Sequence, residues 1–320
     1  MPDMAFRTSV DLTANTAGIV TPNPFWLASA PPANSGAQIQ RAFDHGWGGA
    51  VWKTLGVPIQ NVSSRFGGVD VRGTKAVGFN NIELITDRPL EVNFREIYET
   101  KKKYPKHAVV VSLMVETREE WKDIIKRAID AGADGLELNF GCPHGMCERG
   151  MGSAVGQEPK VNQEITSWAV EYSTVPVLVK LTPNVANIVP HGLAAQRGGA
   201  HGVSLINTIK SIIGIDLDLM VPFPKVGKHS TNGGYCGPAV KPITDYYAEH
   251  GESEHEDKNA VNVPDYPGDI LPIDLDIVNV KGVRAPGAVD VHEYERRRGE
   301  GTDAVGHGRH LDRLLANFGG

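Results

Sequence analysis

The sequence between residues 25 and 207 alternates between short apolar runs and segments with helical periodicity, and this alternation constrains the fold more than any other feature. Strands are predicted at 25–30, 50–55, 108–115, 135–139, 176–181 and 202–207, and helices at 34–45, 89–104, 117–131, 161–172 and 184–196. The strand runs are continuously apolar, which is typical of parallel strands covered by helices on both faces. Strands that alternate with helices predict an α/β fold with a parallel sheet.

Polar residues occur where five of the six predicted strands end, and they favour a closed barrel over an open sheet. The chain has no Gly-x-Gly-x-x-Gly motif after the first strand, which disfavours a dinucleotide-binding sheet. A (β/α)8 barrel gathers the carboxyl ends of all its strands at one face, and that face holds the active site. The strand-end residues are Ser29, Lys53, Thr54, Asn139, Cys142, Lys180, Thr182, Asn207 and Thr208. We therefore predict a TIM (β/α)8 barrel with its site at this face.

The net charge of −6 and the three cysteines exclude several classes of protein. An acidic chain has no overall field that attracts nucleic acid or anionic lipid. No apolar run approaches the roughly 18 residues that a membrane helix needs, and residues 1–4 lack the pattern of a secretory signal. Three cysteines also argue against a disulfide framework. We expect a cytoplasmic protein that binds neither nucleic acid nor membrane.

Two lysines and three asparagines suggest what the strand ends bind. Lys53 and Lys180 lie in apolar strands, where an unpaired ammonium group is costly. Either each reaches solvent, or both face one electron-rich ligand such as a reduced flavin. Asn81, Asn139 and Asn207 offer both hydrogen-bond donors and acceptors. A strand-end asparagine is usually a turn former, but three at one barrel mouth match a pyrimidine ring, with its alternating N–H and C=O groups.

Cys142 follows the fourth predicted strand and lies in a glycine-rich loop that can close over a site. A thiol has a reference pKa of about 8.5, so it can transfer a proton near neutral pH. A single cysteine is more often a small buried hydrophobe, and that alternative stays open at this point. A zinc site of Cys142, His144 and Cys147 is disfavoured because its spacing matches no paired-cysteine motif, and no metal is expected.

The run NFGCPHGMCERGMGSA at residues 139–154 closely resembles the active-site loop of dihydropyrimidine dehydrogenases. These enzymes group with the dihydroorotate dehydrogenases among the FMN-binding TIM barrels. Other similar runs are NPFWLASAPP at 23–32, GWGGAVWKTLG at 46–56, NNIELITDRPLE at 80–91, VKLTPN at 179–184, SLINTI at 204–209 and GGYCGPAVKPI at 233–243. The likeness covers residues 12–243 and is greatest to the FMN-containing, pyrimidine-binding subunit of the bacterial NAD-dependent enzymes.

The resemblance implies a role for each matching residue. It implies FMN contacts for Ala28, Ser29, Lys53, Thr54, Lys180, Cys236 and Gly237, and a place near the flavin for Glu83. It implies pyrimidine binding by Asn81, Asn139, Asn207 and Thr208, and a general-acid role for Cys142. The implied activity is that of an oxidoreductase acting on CH–CH groups, which reduces the C5=C6 bond of uracil or thymine in pyrimidine catabolism. Hydride passes to C6, and Cys142 protonates C5.

The resemblance ends at residue 243, so we divide the chain into two parts. Residues 1–243 are predicted to form an FMN-binding barrel of six βα units. Residues 244–320 are a divergent segment, expected to be either disordered or an irregular completion of the barrel. They lack the Gly-Gly-Ile and Cys-Thr/Ser-Ala turns that bind the FMN phosphate in the family, so the last two βα units are expected to be atypical or incomplete. The run at 270–280 could supply one strand.

The cysteine count and the missing NAD fingerprint bear on cofactors and partners. No cysteine follows Cys236, so a four-cysteine iron–sulfur cluster is not expected in this chain and FMN is the expected cofactor. A separate flavoprotein subunit that oxidises NADH is expected as partner, and the sequence is compatible with an oligomer. Two alternatives to a pyrimidine-reducing enzyme stay open. One is a dihydroorotate dehydrogenase, and the other is a non-catalytic remnant that lacks the FMN phosphate site.

Overall fold

The computed structural model describes residues 11–59, 66–68, 78–142, 150–223, 225–226, 229–230, 232–250 and 277–279. The strands are β1 (Ala14–Thr16), β2 (Ile19–Thr21), β3 (Trp26–Leu27), β4 (Gly49–Leu55), β5 (Phe66–Gly68), β6 (Phe79–Asn81), β7 (Ala108–Leu113), β8 (Gly135–Asn139), β9 (Val177–Lys180), β10 (Gly202–Ser204), β11 (Ile209–Ser211), β12 (Gly214–Asp216), β13 (Val221–Phe223), β14 (Lys225–Val226), β15 (His229–Ser230), β16 (Gly233–Cys236) and β17 (Ile277–Asn279). The helices are α1 (Gly36–Asp44), α2 (Leu90–Lys103), α3 (Arg118–Asp130), α4 (Ser153–Gly156), α5 (Pro159–Tyr172), α6 (Val189–Arg197) and α7 (Lys241–His250).

Six parallel strands form the central sheet in the order β10-β9-β8-β7-β4-β3, as the alternating sequence predicts. Each strand pairs with the one that follows it in the series, so every connection is a crossover through a helix or loop on the outside. The short strand β17 pairs with β10 on the far edge and runs antiparallel to it. A TIM barrel has a parallel strand at that place. The described strands therefore form the arc of six barrel strands, and the seventh place is filled atypically.

The two faces of the sheet are covered by different parts of the chain. Alternate strand residues such as Trp52, Val111 and Leu138 pack outward with helix residues such as Ile97 and Trp121 in the main core. The intervening residues face the barrel interior. At its amino-terminal end these form a separate buried cluster of Trp26, Val51, Ala108, Val110 and Leu178, closed by Ala17 and Ile19 of the hairpin β1–β2.

Side-chain caps set the starts of two helices. Thr117 and Glu120 form a capping box at the start of α3, with each side chain bonded to the other residue's backbone N–H. Ser35 caps α1 by accepting a hydrogen bond from the backbone N–H of Gln38. The predicted start of the helix after the fifth strand, at residue 184, is wrong, because α6 begins at Val189. Asn184 instead bonds to the Thr182 hydroxyl and the Thr208 carbonyl, which holds this stretch as a loop.

A four-stranded antiparallel sheet, in the order β11-β16-β6-β5, lies beside the carboxyl ends of the barrel strands. It joins segments that are far apart in sequence, since Asn81 of β6 pairs with Gly234 of β16. The sequence predicted only a loop at 56–88, because strands of three residues carry no readable periodicity. This mouth sheet supplies one wall of the site.

The chain beyond the mouth sheet continues into α7, which runs across residue 243, where the sequence changes character. The buried Thr244 of this helix donates to the carbonyl of Val240, the residue just before the helix. The division of the chain at 243 therefore stays a prediction. Of the run predicted as a strand at 270–280, residues 277–279 are described and form β17, while the rest of 251–320 lies outside the described residues. No described helix is long and apolar enough to cross a membrane.

Candidate active site

A chain of side-chain hydrogen bonds joins the carboxyl ends of five of the six parallel strands. The Thr54 hydroxyl is at its centre, 3.4 Å from the Ser29 hydroxyl and 3.0 Å from the Ser112 hydroxyl. The Asn139 amide donates to Thr54 Oγ1 over 2.9 Å. The Asn207 amide donates in turn to Asn139 Oδ1 over 3.1 Å. The structure thus brings together four predicted site residues from separate strands. It adds Ser112, which was not predicted, although it is the polar residue of the apolar run at 108–115.

A β-bulge in β4 lets two consecutive residues face this network. Trp52 pairs with Val111, and Leu55 pairs with Leu113, so three steps along β4 match two steps along β7. A bulge inserts one extra residue and re-aims the side chains next to it. Trp52 therefore points outward to bond Asn93 of α2, while Lys53 and Thr54 both bond to residues of the mouth. A regular strand would place Lys53 and Thr54 on opposite faces.

Lys53 is held by an acidic partner inside the protein. Its ammonium lies 2.8 Å from the Glu83 carboxylate and 2.8 Å from the Leu84 carbonyl oxygen. The side chains of Lys53 and Glu83 are only 4% and 8% exposed. The pair therefore balances two charges that would each be costly to bury alone. The shared contact of Lys53 and Lys180 with one electron-rich ligand stays a prediction, and the Glu83 carboxylate balances the charge of Lys53.

Lys180 ends β9 and lies between two polar neighbours on the adjacent strands. The sheet register pairs it with Asn139 of β8 and with Ser204 of β10. Laterally paired residues of a parallel sheet point to the same face, so Lys180 faces the barrel interior beside Asn139. Within the described part of the chain, its ammonium group has no ion pair or hydrogen bond. It is half-buried at the mouth, where a ligand could meet it.

The mouth sheet places Asn81 next to Cys236. The Asn81 amide donates to the Gly234 carbonyl over 3.2 Å and points to Cys236 Sγ at 3.6 Å. Asn81 Oδ1 accepts the backbone N–H of Glu83 over 3.1 Å, which fixes the turn that presents Glu83 to Lys53. Cys236 is buried, and Gly237 follows it with φ +96°, a conformation that favours glycine. Asn81, Glu83, Cys236 and Gly237 are thus assembled as one wall.

Two glycines allow the strand ends and the mouth sheet to approach closely. A Cβ on Gly234 would lie 2.0 Å from Thr208 Oγ1, and a Cβ on Gly141 would lie 2.3 Å from Asn207 Cβ. The Asn207 carbonyl oxygen Oδ1 also accepts the backbone N–H of Thr208 over 2.8 Å. Thr208 therefore lies against the backbone of β16, and Asn207 lies against the backbone of the loop after β8. The close contacts that require these two glycines were not predicted from the sequence.

Cys142 lies just beyond Asn139 and is 6% exposed. Its side chain belongs to a small buried cluster with Ile85, Met114 and Met151, which is separate from the main core. Its carbonyl accepts the backbone N–H of Ser153 at the start of α4. The loop residues 143–149, which include His144 and Cys147, lie outside the described residues. The described part of the chain contains no group of three acidic, histidine or cysteine side chains that could hold a metal ion.

The predicted flavin-contacting residues Ala28 and Ser29 follow β3 and lie half-buried at the same end of the sheet. Ser29 also donates to the Trp52 carbonyl over 3.1 Å. Behind this loop, Arg88 bonds to both the Asn34 carbonyl and the Glu96 carboxylate, and Glu96 accepts the backbone N–H of Gly36. The hydrogen bond from Arg88 lowers the pKa of Glu96 below its usual value. This clamp fixes the segment that follows Ser29.

Comparison with known proteins places this geometry in a family context. The dihydroorotate dehydrogenase family model matches residues 11–246. The chain is 42% identical over 234 residues to the NAD-dependent dihydropyrimidine dehydrogenase subunit PreA of Escherichia coli (strain K12), covering 73% of this chain and 57% of that protein. It is 40% identical over 248 residues to the chloroplastic dihydropyrimidine dehydrogenase (NADP(+)) of Arabidopsis thaliana, covering 75% of this chain and 58% of that protein.

A third relative is more distant. The chain is 34% identical over 233 residues to the catalytic subunit of dihydroorotate dehydrogenase B (NAD(+)) of Pyrococcus horikoshii, covering 71% of this chain and 69% of that protein. The chain thus spans less than two thirds of the length of the two dihydropyrimidine dehydrogenases that it matches.

Proposed function

The chain belongs to the dihydroorotate dehydrogenase family, and on that premise we propose that it is an FMN-dependent oxidoreductase that reduces the C5=C6 bond of uracil or thymine. The observation that carries this proposal is the mixed set of amide and hydroxyl groups at the barrel mouth. Asn139, Asn207 and Thr208 are linked by hydrogen bonds there, and Cys142 follows in the same loop. Asparagine side chains offer the donors and acceptors that a pyrimidine ring needs.

The residues at the mouth also fit the ring of a flavin. Lys180 presents an ammonium group with no partner in the described part of the chain, and a reduced flavin carries negative charge at its N1–C2=O edge. Ser29 and Thr54 add hydroxyl groups to the same network at the mouth. Bound FMN would supply the hydride that this reduction requires. The Gly-Gly-Ile and Cys-Thr/Ser-Ala turns that bind the FMN phosphate in the family are absent from the sequence of residues 244–320, so the mouth residues account for the flavin ring and not for its phosphate.

Within this proposal, each group of the chain has a separate task. Asn81, Asn139, Asn207 and Thr208 bind and orient the pyrimidine, which brings the reacting atoms into line. The Cys142 thiol gives its proton to C5 as C6 becomes saturated, so the reduction adds one hydride and one proton. The apolar cluster around Cys142 excludes water from this transfer.

The names of the relatives support a partner protein. The Escherichia coli relative is described as a subunit of an NAD-dependent enzyme. We infer that a separate flavoprotein subunit oxidises NADH and delivers electrons to this chain. The low cysteine content supports a reducing cytoplasm as the location.

The purified chain mixed with FMN provides the test. We expect it to gain a flavin absorbance band and to reduce uracil or thymine with a chemical electron donor, while dihydroorotate is not oxidised. Oxidation of dihydroorotate with no reduction of uracil would favour the activity named for the Pyrococcus horikoshii relative instead. A chain that shows no flavin absorbance after incubation with excess FMN and removal of the unbound FMN would reject both enzymatic functions and support the non-catalytic remnant.

A further inference from the structure

Glu137 is a carboxylate buried inside the barrel, below the mouth. It lies on β8 in the same lateral row as Ser112 of β7 and Leu178 of β9. It is 2% exposed, as deep in the protein as its apolar neighbours. Interiors of such barrels are filled mainly by branched apolar side chains, so an acidic residue at this place needs an explanation.

The hydrogen bond of Glu137 shows which way its side chain reaches. Its Oε2 accepts the Ser204 hydroxyl over 3.0 Å. Ser204 belongs to β10, two strands away, in the next row toward the mouth. That row consists of Asn139, Lys180 and Ser204, with Lys180 in the middle. The Glu137 carboxylate therefore spans from β8 to β10 beneath the strand that carries Lys180.

The second carboxylate oxygen of Glu137 is buried without a hydrogen-bond partner in the described part of the chain. A buried carboxylate with incomplete hydrogen bonding destabilises a protein, and replacement by an apolar residue of similar volume is often neutral or stabilising. Folding thus does not account for Glu137. A charge that the fold tolerates at a cost is better explained by what it does to a neighbouring group.

The two interior lysines differ in how their charge is balanced. Lys53 has the Glu83 carboxylate at 2.8 Å. Lys180 has no ion pair in the described ranges, and the carboxylate of the adjacent interior row is Glu137. Charges interact strongly across several ångströms in a poorly solvated interior, even without direct contact.

We propose that Glu137 is a positioning residue that acts through Lys180, as a fixed counter-charge beneath it. This inference rests on the proposed function, since it concerns the flavin that Lys180 would meet. Glu137 lowers the ability of Lys180 to stabilise the negative charge of reduced flavin. The bound flavin is consequently a stronger reductant, as hydride transfer to a pyrimidine requires.

The test is the flavin midpoint potential of the FMN-loaded chain, measured by equilibration with a reference redox dye. Glu137→Gln keeps the shape and removes the charge, so we expect about a tenfold shift toward reduced flavin, which is ~30 mV upward for a two-electron couple. Glu164→Gln makes the same charge change on the exposed face of α5 and should leave the potential unchanged. Glu137→Met is a second variant without the charge, for use if the glutamine variant does not fold.

A coupled variant separates an effect through Lys180 from a general structural effect. In a Lys180→Met background, Glu137→Gln should shift the potential far less than it does in the wild-type chain. Unchanged or lowered potentials in both Glu137 variants would overturn the inference, and so would an equal shift with and without Lys180. If the wild-type chain binds FMN and these shifts are absent, only the inference fails. If the wild-type chain binds no FMN, the proposed function and the inference fail together.

Discussion

The Asn207 side chain donates a hydrogen bond to Asn139 Oδ1 over 3.1 Å, which ties the sixth parallel strand to the fourth across the mouth of the barrel. The two residues are 68 positions apart in the sequence. The Asn139 amide donates in turn to the Thr54 hydroxyl. The amides are therefore held in fixed orientations before any ligand arrives, and such preorganisation reduces the cost of binding.

Replacement of Asn207 by alanine should weaken pyrimidine binding. Loss of one amide leaves a donor or acceptor of the ring and of Asn139 unsatisfied, at a cost of about 1–3 kcal/mol. We expect the KM for uracil to rise roughly 5- to 150-fold, as measured by steady-state kinetics. Asn15→Ala, which removes only a turn contact in the β1–β2 hairpin, is the control. An unchanged KM for uracil in the Asn207 variant would show that this amide does not bind the substrate.

Replacement of Cys142 by alanine should remove the proton donor and leave the flavin in place. General acid catalysis contributes typically about 10²–10⁴-fold, so uracil reduction should fall by at least a hundredfold. The flavin absorbance spectrum should be retained. Met151→Leu disturbs the packing around Cys142 without removing a titratable group, and it should keep most of the activity. Full turnover by the alanine variant would contradict the assigned role.

The Lys53–Glu83 pair should be important for stability because both side chains are buried. Glu83→Gln leaves the Lys53 ammonium without its counter-charge, which should cost about 3–5 kcal/mol in the free energy of unfolding. Asp130→Asn breaks an exposed pair with Lys126 and should cost less than about 0.5 kcal/mol. Urea denaturation of both variants without added FMN measures the difference. Similar small losses in both would mean that Glu83 does not neutralise Lys53.

Gly234→Ala should disrupt the contact between the mouth sheet and the sixth strand end. The added Cβ would lie 2.0 Å from Thr208 Oγ1. Overpacking of this kind costs typically about 1–3 kcal/mol, and it should also raise the KM for uracil because Thr208 has to move. Gly192→Ala in α6 meets no atom within 4 Å and should be neutral or stabilising by about 0.5–1 kcal/mol. Thermal unfolding should therefore separate the two variants.

The Glu96 carboxylate should make stability depend on pH in the acid range. Its pKa is lowered from 4.5 in the folded protein, first by the hydrogen bond from Arg88. A lowered folded-state pKa stabilises the protein above the unfolded-state value, and this contribution is lost as the pH falls through the folded-state pKa. Glu96→Gln should thus be less stable than the wild-type chain at pH 7, and the two should converge as the pH falls well below 4.5. Urea denaturation across this pH range measures the gap, and a constant gap would contradict the assignment.

The sequence by itself determined the sheet, its strand order and most of its helices. Continuous apolar runs separated by helical segments can form a parallel sheet only through crossovers, and all six predicted parallel strands are present. Capping residues act over three positions, so the Thr117 capping box is predictable from the sequence. The sequence offers Asn34 or Ser35 as the cap of the first helix, and the structure shows that it is Ser35. The strand-end positions of Asn139, Lys180 and Asn207 followed from the same periodicity.

Only the tertiary structure decided how these residues are paired. The bulge that turns both Lys53 and Thr54 to the mouth depends on the register between β4 and β7, which no local pattern encodes. The ion pair of Lys53 with Glu83 and the pairing of Asn81 with Gly234 join distant segments, and the latter two residues are 153 positions apart. Local sequence fixes what a strand or helix can be, because its interactions span a few residues. Charge balance and close approach inside the site depend on contacts between strands, and these exist only in the folded chain.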